Sequence, residues 1–278
     1  MIAAEERDVP IQTAAPGEPG TAPASLPARS GLATGLVLCL ALGGCAAPPP
    51  AAEGPVTWAG RPMGPPPAPD PGLRQALISR ANQEWEFFGR QTVVFKGGEE
   101  SIPHVGAWED DDGACSARVN AYWRTVGKPT LSGIDCQEPW SAAFISWVMQ
   151  AAGVPEGQFP PAAAHGVYLA GIINESGYPG RFFVPRRVAE YGPSPGDLIC
   201  ASRNPARSAT FDEYPSLEAL KAATAHCDLV VGKVGQTLEV IGGNVRNSVS
   251  RSTLELDGEG RLQAVPRRPW FLILQNRL

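Results

Sequence analysis

The chain has 278 residues, a net charge of −5 at pH 7 and 43% hydrophobic residues. That acidic balance, with no stripe of Lys and Arg interleaved with aromatics, excludes nucleic acid as an expected partner. The length suffices for one substantial hydrophobic core, and six cysteines suffice for a disulfide framework.

Residues 1–30 are rich in Ala, Pro, Gly and Thr and have no apolar periodicity, so they cannot bury enough surface to order themselves. The run GLATGLVLCLALGGC (31–45) follows Arg29. Its apolar stretch of about a dozen residues falls short of the roughly 20 needed to span a bilayer. A basic residue, a short apolar core and small residues at its end make a secretory signal. Leu42-Gly43-Gly44-Cys45 resembles the bacterial lipobox, which implies cleavage before Cys45 and a diacylglycerol thioether on its sulfur. Residues 1–44 are then a signal peptide with an extended N-terminal segment. Residues 45–72 are a lipidated tether rich in Pro and Ala, whose prolines favour extended conformations. The expected location is the periplasmic face of a bacterial envelope membrane, with the membrane as a partner through Cys45.

The folded domain is expected over residues 73–278. Leu73, Ala76, Leu77, Ala81, Trp85 and Phe88 recur at helical spacing and predict a helix over 73–88. A loop with Gly97-Gly98 follows. The acidic run Glu109-Asp110-Asp111-Asp112 lacks the spacing of a calcium loop and reads as a solvated turn, with Asp112 at a helix start. A second helix covers Ala114–Val126. The third opens at Pro139, which suits a first helical turn, and carries Trp140, Phe144, Trp147, Val148 and Ala151 on one face. Ser141 lies in its first turn, and Gly153 with Pro155 closes it. A fourth helix over 162–176 carries His165, Tyr168, Leu169 and Ile172.

From Pro195 the texture changes to short β-prone runs: 197–200, 226–234, 238–242, 249–256, 262–265 and 270–274. Gly235-Gln236 and Asp257–Gly260 are turn signals between them. The excursion 201–225 carries a short helix at 216–223. Helices followed by an antiparallel sheet is an α+β order.

Cys39 lies in the signal and Cys45 takes the lipid, leaving Cys115, Cys136, Cys200 and Cys227. Four cysteines in an exported domain permit three connectivities, and their order suggests Cys115–Cys136 and Cys200–Cys227. No CxxC or HxxxH spacing suggests a metal, and no cofactor is expected.

Four stretches in order carry a family resemblance. PWSAAFISWVM (139–149) resembles the nucleophile helix of the NlpC-type and CHAP-type papain-like cell-wall amidases, with Ser141 where those enzymes carry Cys. SPGDLI (194–199), HCDLVV (226–231) and IGGN (241–244) resemble, in turn, that family's first sheet strand, the strand opening on the catalytic His, and the strand end supplying a third polar residue. The same stretches resemble the bacterial domain of unknown function 2272 family. The resemblance covers roughly 75–278 and implies a papain-like fold, with N-terminal helices packed on a C-terminal antiparallel sheet.

The resemblance implies Ser141 as nucleophile, His226 as base and Asn244 as the group that orients the imidazole. Trp140, His165 and Asp228 are candidates for substrate contact, and Asp228 shares a strand face with His226 and could tune it. A helix dipole can hold a thiolate but not an alkoxide, so a serine depends on close contact with its base. Two functions therefore stand. One is hydrolysis of amide bonds in peptidoglycan peptides. The other is a binding or scaffolding lipoprotein that uses the same cleft without chemistry. Cys136 is the alternative nucleophile, five residues too early for the Phe144 and Trp147 spacing.

Overall fold

The computed structural model describes Thr57 and residues 60–203, 216–265 and 267–278. The expected signal peptide, the Cys45 lipid site and residues 204–215 of the polar excursion lie outside the described residues. The described residues belong to one compact unit within Pro50–Leu278.

Five helices and eight strands are described. In chain order they are α1 (Pro71–Phe87), β1 (Thr92–Lys96), β2 (Glu99–His104), α2 (Gly113–Thr125), α3 (Ser141–Ala152), α4 (His165–Glu175), β3 (Phe183–Arg186), β4 (Leu198–Ser202), α5 (Leu217–Lys221), β5 (Ala225–Val234), β6 (Thr237–Val245), β7 (Ser248–Glu255) and β8 (Trp270–Asn276). The architecture is α+β. All eight strands form one sheet in the order β2-β1-β7-β6-β5-β4-β8-β3, with β2 and β3 at its edges. The sheet is mixed, which corrects the antiparallel expectation. The stretch after α1, expected as a loop, forms a β1–β2 hairpin across Gly97-Gly98, and β1 lies parallel to β7. The period-two signal was weak because β1 has only five residues and β2 is exposed along nearly its whole length. The expected strand over 262–265 is reduced to isolated bridges, Leu256 with Leu262 and Val265 with Arg268.

Helix starts follow their caps. Asp70 accepts from the Leu73 N–H at 2.9 Å, and Asp112 accepts from the Cys115 N–H at 2.7 Å. Each satisfies a donor that the first turn leaves free. α3 differs, for it begins at Ser141 and not at Pro139. The Phe144 N–H donates to Trp140 C=O at 2.9 Å, which makes Trp140 the cap residue, and no side chain caps the helix. Gly153, at φ 97°, ends α3 in the left-handed conformation that favours glycine.

Each face of the sheet carries a core. The larger packs the first four helices against Leu198, Cys200, Leu229, Ile241, Leu272 and Leu274. The smaller holds Val93, Phe95, Ile199, Val230, Val240 and Ile273 on the opposite face. Between α2 and α3, Tyr122 stacks on Trp140 and meets Phe144 edge-on. Two buried carboxylates pin this aromatic group: Glu84 accepts from the Tyr122 hydroxyl at 2.5 Å, and Glu109 accepts from the Trp140 indole N–H. Glu109 is 1% exposed, so the acidic run is not a wholly solvated turn.

The described part of the proline-rich stretch is fastened to the body. The Gly64 N–H donates to Ser176 C=O at 3.1 Å, the Gly180 N–H to Pro65 C=O at 2.9 Å, and Arg277 Nη1 to Gly64 C=O at 2.7 Å. Asp197, in the SPGDLI stretch, ties the sheet's centre to its end. Its carboxylate accepts from the Ser194 and Asn276 N–H groups, each at 2.8 Å, and from the Tyr191 hydroxyl at 3.1 Å.

Cys200 and Cys227 face each other across β4 and β5 and form a disulfide. The expected Cys115–Cys136 bond is corrected, since both thiols are free. Cys115 sits on the inner face of α2, and burial pushes its thiol to about 11. Cys136 is exposed on a loop, with its sulfur 3.4 Å from Gly133 C=O and 3.7 Å from Asp110 Oδ2. Alkylation of the native protein should mark Cys136 and spare Cys115, which should react only on denaturation. The peptides holding Cys200 and Cys227 should stay joined until reduced. A mapped Cys115–Cys136 peptide would overturn this pairing.

Candidate functional site

β5 begins with the sequence that builds the site. Alternation puts His226 and Asp228 on one strand face, and Cys227 with Leu229 on the face towards the helices. β6 runs alongside and contributes two glycines at the height of this pair. A Cβ on Gly242 would lie 1.8 Å from Asp228 Oδ1, and one on Gly243 would lie 2.5 Å from the Phe144 side chain. Gly242 therefore leaves room for the carboxylate, and Gly243 lets the start of α3 close onto the sheet.

The first residue of α3 thereby meets His226. Ser141 Oγ lies 2.7 Å from His226 Nδ1 and 2.7 Å from His165 Nε2. His226 Nε2 lies 2.8 Å from Asp228 Oδ1, and Arg268 Nη1 donates to Asp228 Oδ2 at 2.8 Å. On the far side of the second imidazole, His165 Nδ1 lies 2.5 Å from the Tyr168 hydroxyl. Five polar side chains from α3, α4 and β5 thus form one chain, closed at one end by Arg268.

Charge fixes the direction of every proton in it. Burial opposes the charge on Asp228, yet His226 and Arg268 together hold its carboxyl below its ordinary value and ionised. An anion can only accept, so His226 carries its proton on Nε2 and turns the Nδ1 lone pair to Ser141. The serine hydroxyl then donates to Nδ1, and its oxygen accepts from His165 Nε2–H. His165 is held neutral because burial, with His226 and Arg203 nearby, drops it well below its ordinary value. Its Nδ1 is left as an acceptor for Tyr168, whose hydroxyl is kept protonated by burial. No donor or acceptor in the chain is left facing its own kind.

His226 is also neutral at pH 7. Burial lowers it most, Asp228 pulls it up, and Arg268 and Arg203 push it down. Arg203 Nη2 stands 3.3 Å from the same Nδ1 that faces Ser141.

A cavity of about 260 Å³ has His226 in its wall, with Phe95, Ser202, Arg203 and Asn244 among its other lining. Ser141 is not in its wall and is 2% exposed, against 5% for His226. His226 thus both touches the serine and lines the cavity.

The remaining expected residues fall as follows. Asn244 was expected to orient the imidazole, but Asp228 occupies that place. Asn244 lines the cavity and sits at φ 56° beside the register shift between Gly242 and Val245. Asn is one of the few residues that tolerate this left-handed conformation, so the bulge accounts for it. Trp140 was a candidate for substrate contact, but at 1% exposure it stacks in the core. Asp228 was likewise a candidate, but at 0% exposure it is engaged by His226 and Arg268. His165 touches Ser141 and not the cavity. Cys136, the alternative nucleophile, faces Asp110; slight desolvation and the nearby acids raise its thiol, which disfavours a thiolate. The sequence reading missed Arg203 and Arg268. The period-two spacing of His226 and Asp228 was the available signal for the orienting carboxylate. Among the described residues no group of His, Cys, Asp and Glu is arranged to hold a metal ion, and no helix is long and apolar enough to cross a membrane.

The proton order can be read directly. At pH 7, ¹⁵N spectra should show His165 and His226 as Nε2–H tautomers, and neither ring should gain charge until the pH falls below 6.5, the ordinary histidine value. An Nδ1–H tautomer at His226 would contradict the assigned direction.

A family model described as "Uncharacterized protein conserved in bacteria (DUF2272)" matches residues 104–276. That is more than half of the chain, and the chain belongs to this family. No curated protein and no solved structure matches it.

Proposed function

We propose that this member of the family is an amide hydrolase of the papain-like, NlpC/CHAP kind, with serine in the nucleophile's place. Its substrates would be envelope peptides such as those of peptidoglycan. The observation that carries the reading is the continuous chain from Ser141 through His226 to Asp228 and Arg268, with contacts of 2.7, 2.8 and 2.8 Å. A serine must pass its proton to a base during attack, and this one is already in hydrogen-bond contact with a neutral imidazole.

Each group then has a defined task. Ser141 Oγ attacks the amide carbon while its proton moves to His226 Nδ1. The Nε2–H···Asp228 bond steadies the imidazolium, and Arg268 keeps Asp228 from taking that proton. The N–H groups at the start of α3, which no described side chain caps, would donate to the oxyanion. His165 Nε2–H, released as Oγ becomes an ester oxygen, is a further donor at the same point. His226 Nδ1 returns its proton to the leaving amine, and a water repeats the sequence to free Ser141.

The burial of Ser141 favours a second reading, in which the cavity binds a ligand and no bond is cut. Digestion of purified peptidoglycan peptides separates the two. Hydrolysis should be present in the parent, and Ser141→Ala or His226→Ala should each lower kcat by about 10³-fold or more. Asp228→Asn should be nearly as damaging, because it permits the wrong tautomer. The rate should fall on acidification as His226 gains a proton, with a limb below the ordinary value of 6.5. An inactive parent, or an active Ser141→Ala, would sink the hydrolase reading.

We place the protein on an envelope membrane through a lipid on Cys45. Cys45→Ser should abolish labelling by fatty acid and release the chain from membranes. A variant that is still labelled would refute the anchor.

A further inference from the structure

We propose that the cavity beside His226 is a carboxylate subsite, and that the peptide this domain acts on is acidic, held there by a side-chain or terminal carboxylate. That the bound peptide is also the substrate rests on the hydrolase reading; that it binds does not.

Four guanidinium groups line the cavity: Arg203, Arg246, Arg267 and Arg268. Glu100 is the one carboxylate in the described wall. Arg268 is committed to Asp228, which lies behind the wall. Counting both carboxylates, the arginines still leave an excess of positive charge in a concave, partly desolvated place. Such a surface attracts anions more strongly than the same charges spread over open surface. The chain as a whole is acidic, so this excess is local and is not a general property of the surface.

The chemistry of the anion is indicated by the wall itself. Arg246 donates through Nε and Nη2 to one oxygen of Glu100, at 3.1 and 2.7 Å, and Arg267 Nη1 lies 3.7 Å from the other. These two arginines already seat a carboxylate. Their side chains remain 48% and 79% exposed, so further guanidinium N–H groups face outward. A planar fork of donors suits a second carboxylate well. Arg203, in the cavity wall and 3.3 Å from Nδ1 of His226, would hold the ligand beside the serine's base. A second cavity of about 310 Å³ shares Phe95, Glu100, Arg246 and Arg267 with the first, which gives a peptide room to extend past its charged residue.

The test is calorimetric titration of the full chain carrying Ser141→Ala, which removes turnover and leaves the arginines untouched. The probes are N-acetyl-glutamyl-amide, its glutaminyl counterpart and inorganic phosphate. The glutamyl probe should bind about tenfold more tightly than the glutaminyl one, and salt should weaken it. Adding Arg246→Ala with Arg267→Ala should cost it about tenfold or more, while the thermal midpoint shows that the fold is kept. Adding Glu100→Gln should instead tighten binding several-fold, because it frees both arginines from an internal competitor. Equal binding of the two peptide probes, indifference to the arginine changes, or binding of phosphate in place of the glutamyl probe would each overturn the proposal. If binding behaves as stated and the parent cuts no acidic peptide, the subsite stands and the hydrolase reading falls.

Discussion

The site depends on one ion held where water cannot reach it. Asp228 has no exposed surface, and an isolated carboxylate there would take up a proton sooner than stay charged. Arg268 on one oxygen and His226 on the other keep it ionised, and the bare Cα of Gly242 leaves the space it occupies. The proton order of the neighbouring side chains follows from that charge. Were Asp228 neutral, the tautomer of His226 would be undetermined, and so would the direction of the serine hydroxyl. Neutralising or moving this one group should therefore disturb His165 and Tyr168 as well, though neither touches it.

A good part of the layout was legible from residue spacing. Helices over 73–88, 114–126 and 162–176 were drawn by apolar periodicity, and α1, α2 and α4 lie within one to three residues of those limits. Four of the predicted strand runs fall inside β5, β6, β7 and β8 or within one residue of them. The Cys200–Cys227 bond agrees with the order of the cysteines, and strand alternation, which turns Cys227 away from His226 and opposite Cys200, explains it. The hairpin β1–β2 was not legible: its outer strand, EESIPH, has no buried face to impose a period. Nor was the missing Cys115–Cys136 bond: Cys115 is turned into the core and Cys136 is exposed on a loop.

The site was readable in its parts and not in its wiring. Ser141 and His226 could be named from the order of motifs, because a helix start and a strand start are local features. The third partner was ranked wrongly: Asn244 was placed on the imidazole, and Asp228, which shares a strand face with His226, holds that position. What separates them is a bulge: the turn of the chain past Gly242 puts Asn244 into a left-handed conformation on the cavity wall. The arginines are harder still. Arg203, Arg246, Arg267 and Arg268 come from three separate stretches of chain, and only the folded sheet makes them neighbours.

The two border strands of the sheet carry a consequence for any extended ligand. β2 contains Pro103 and β3 contains Pro185, and each removes one backbone N–H from an edge strand. A β-sheet finished in this way resists augmentation, whether by another copy of the chain or by an extended ligand. A ligand of this domain would then be recognised by side chains in a depression and not by main-chain pairing along a border. Under such a rule the sequence of a ligand, and above all its charge, matters more than its capacity to lie flat as a strand.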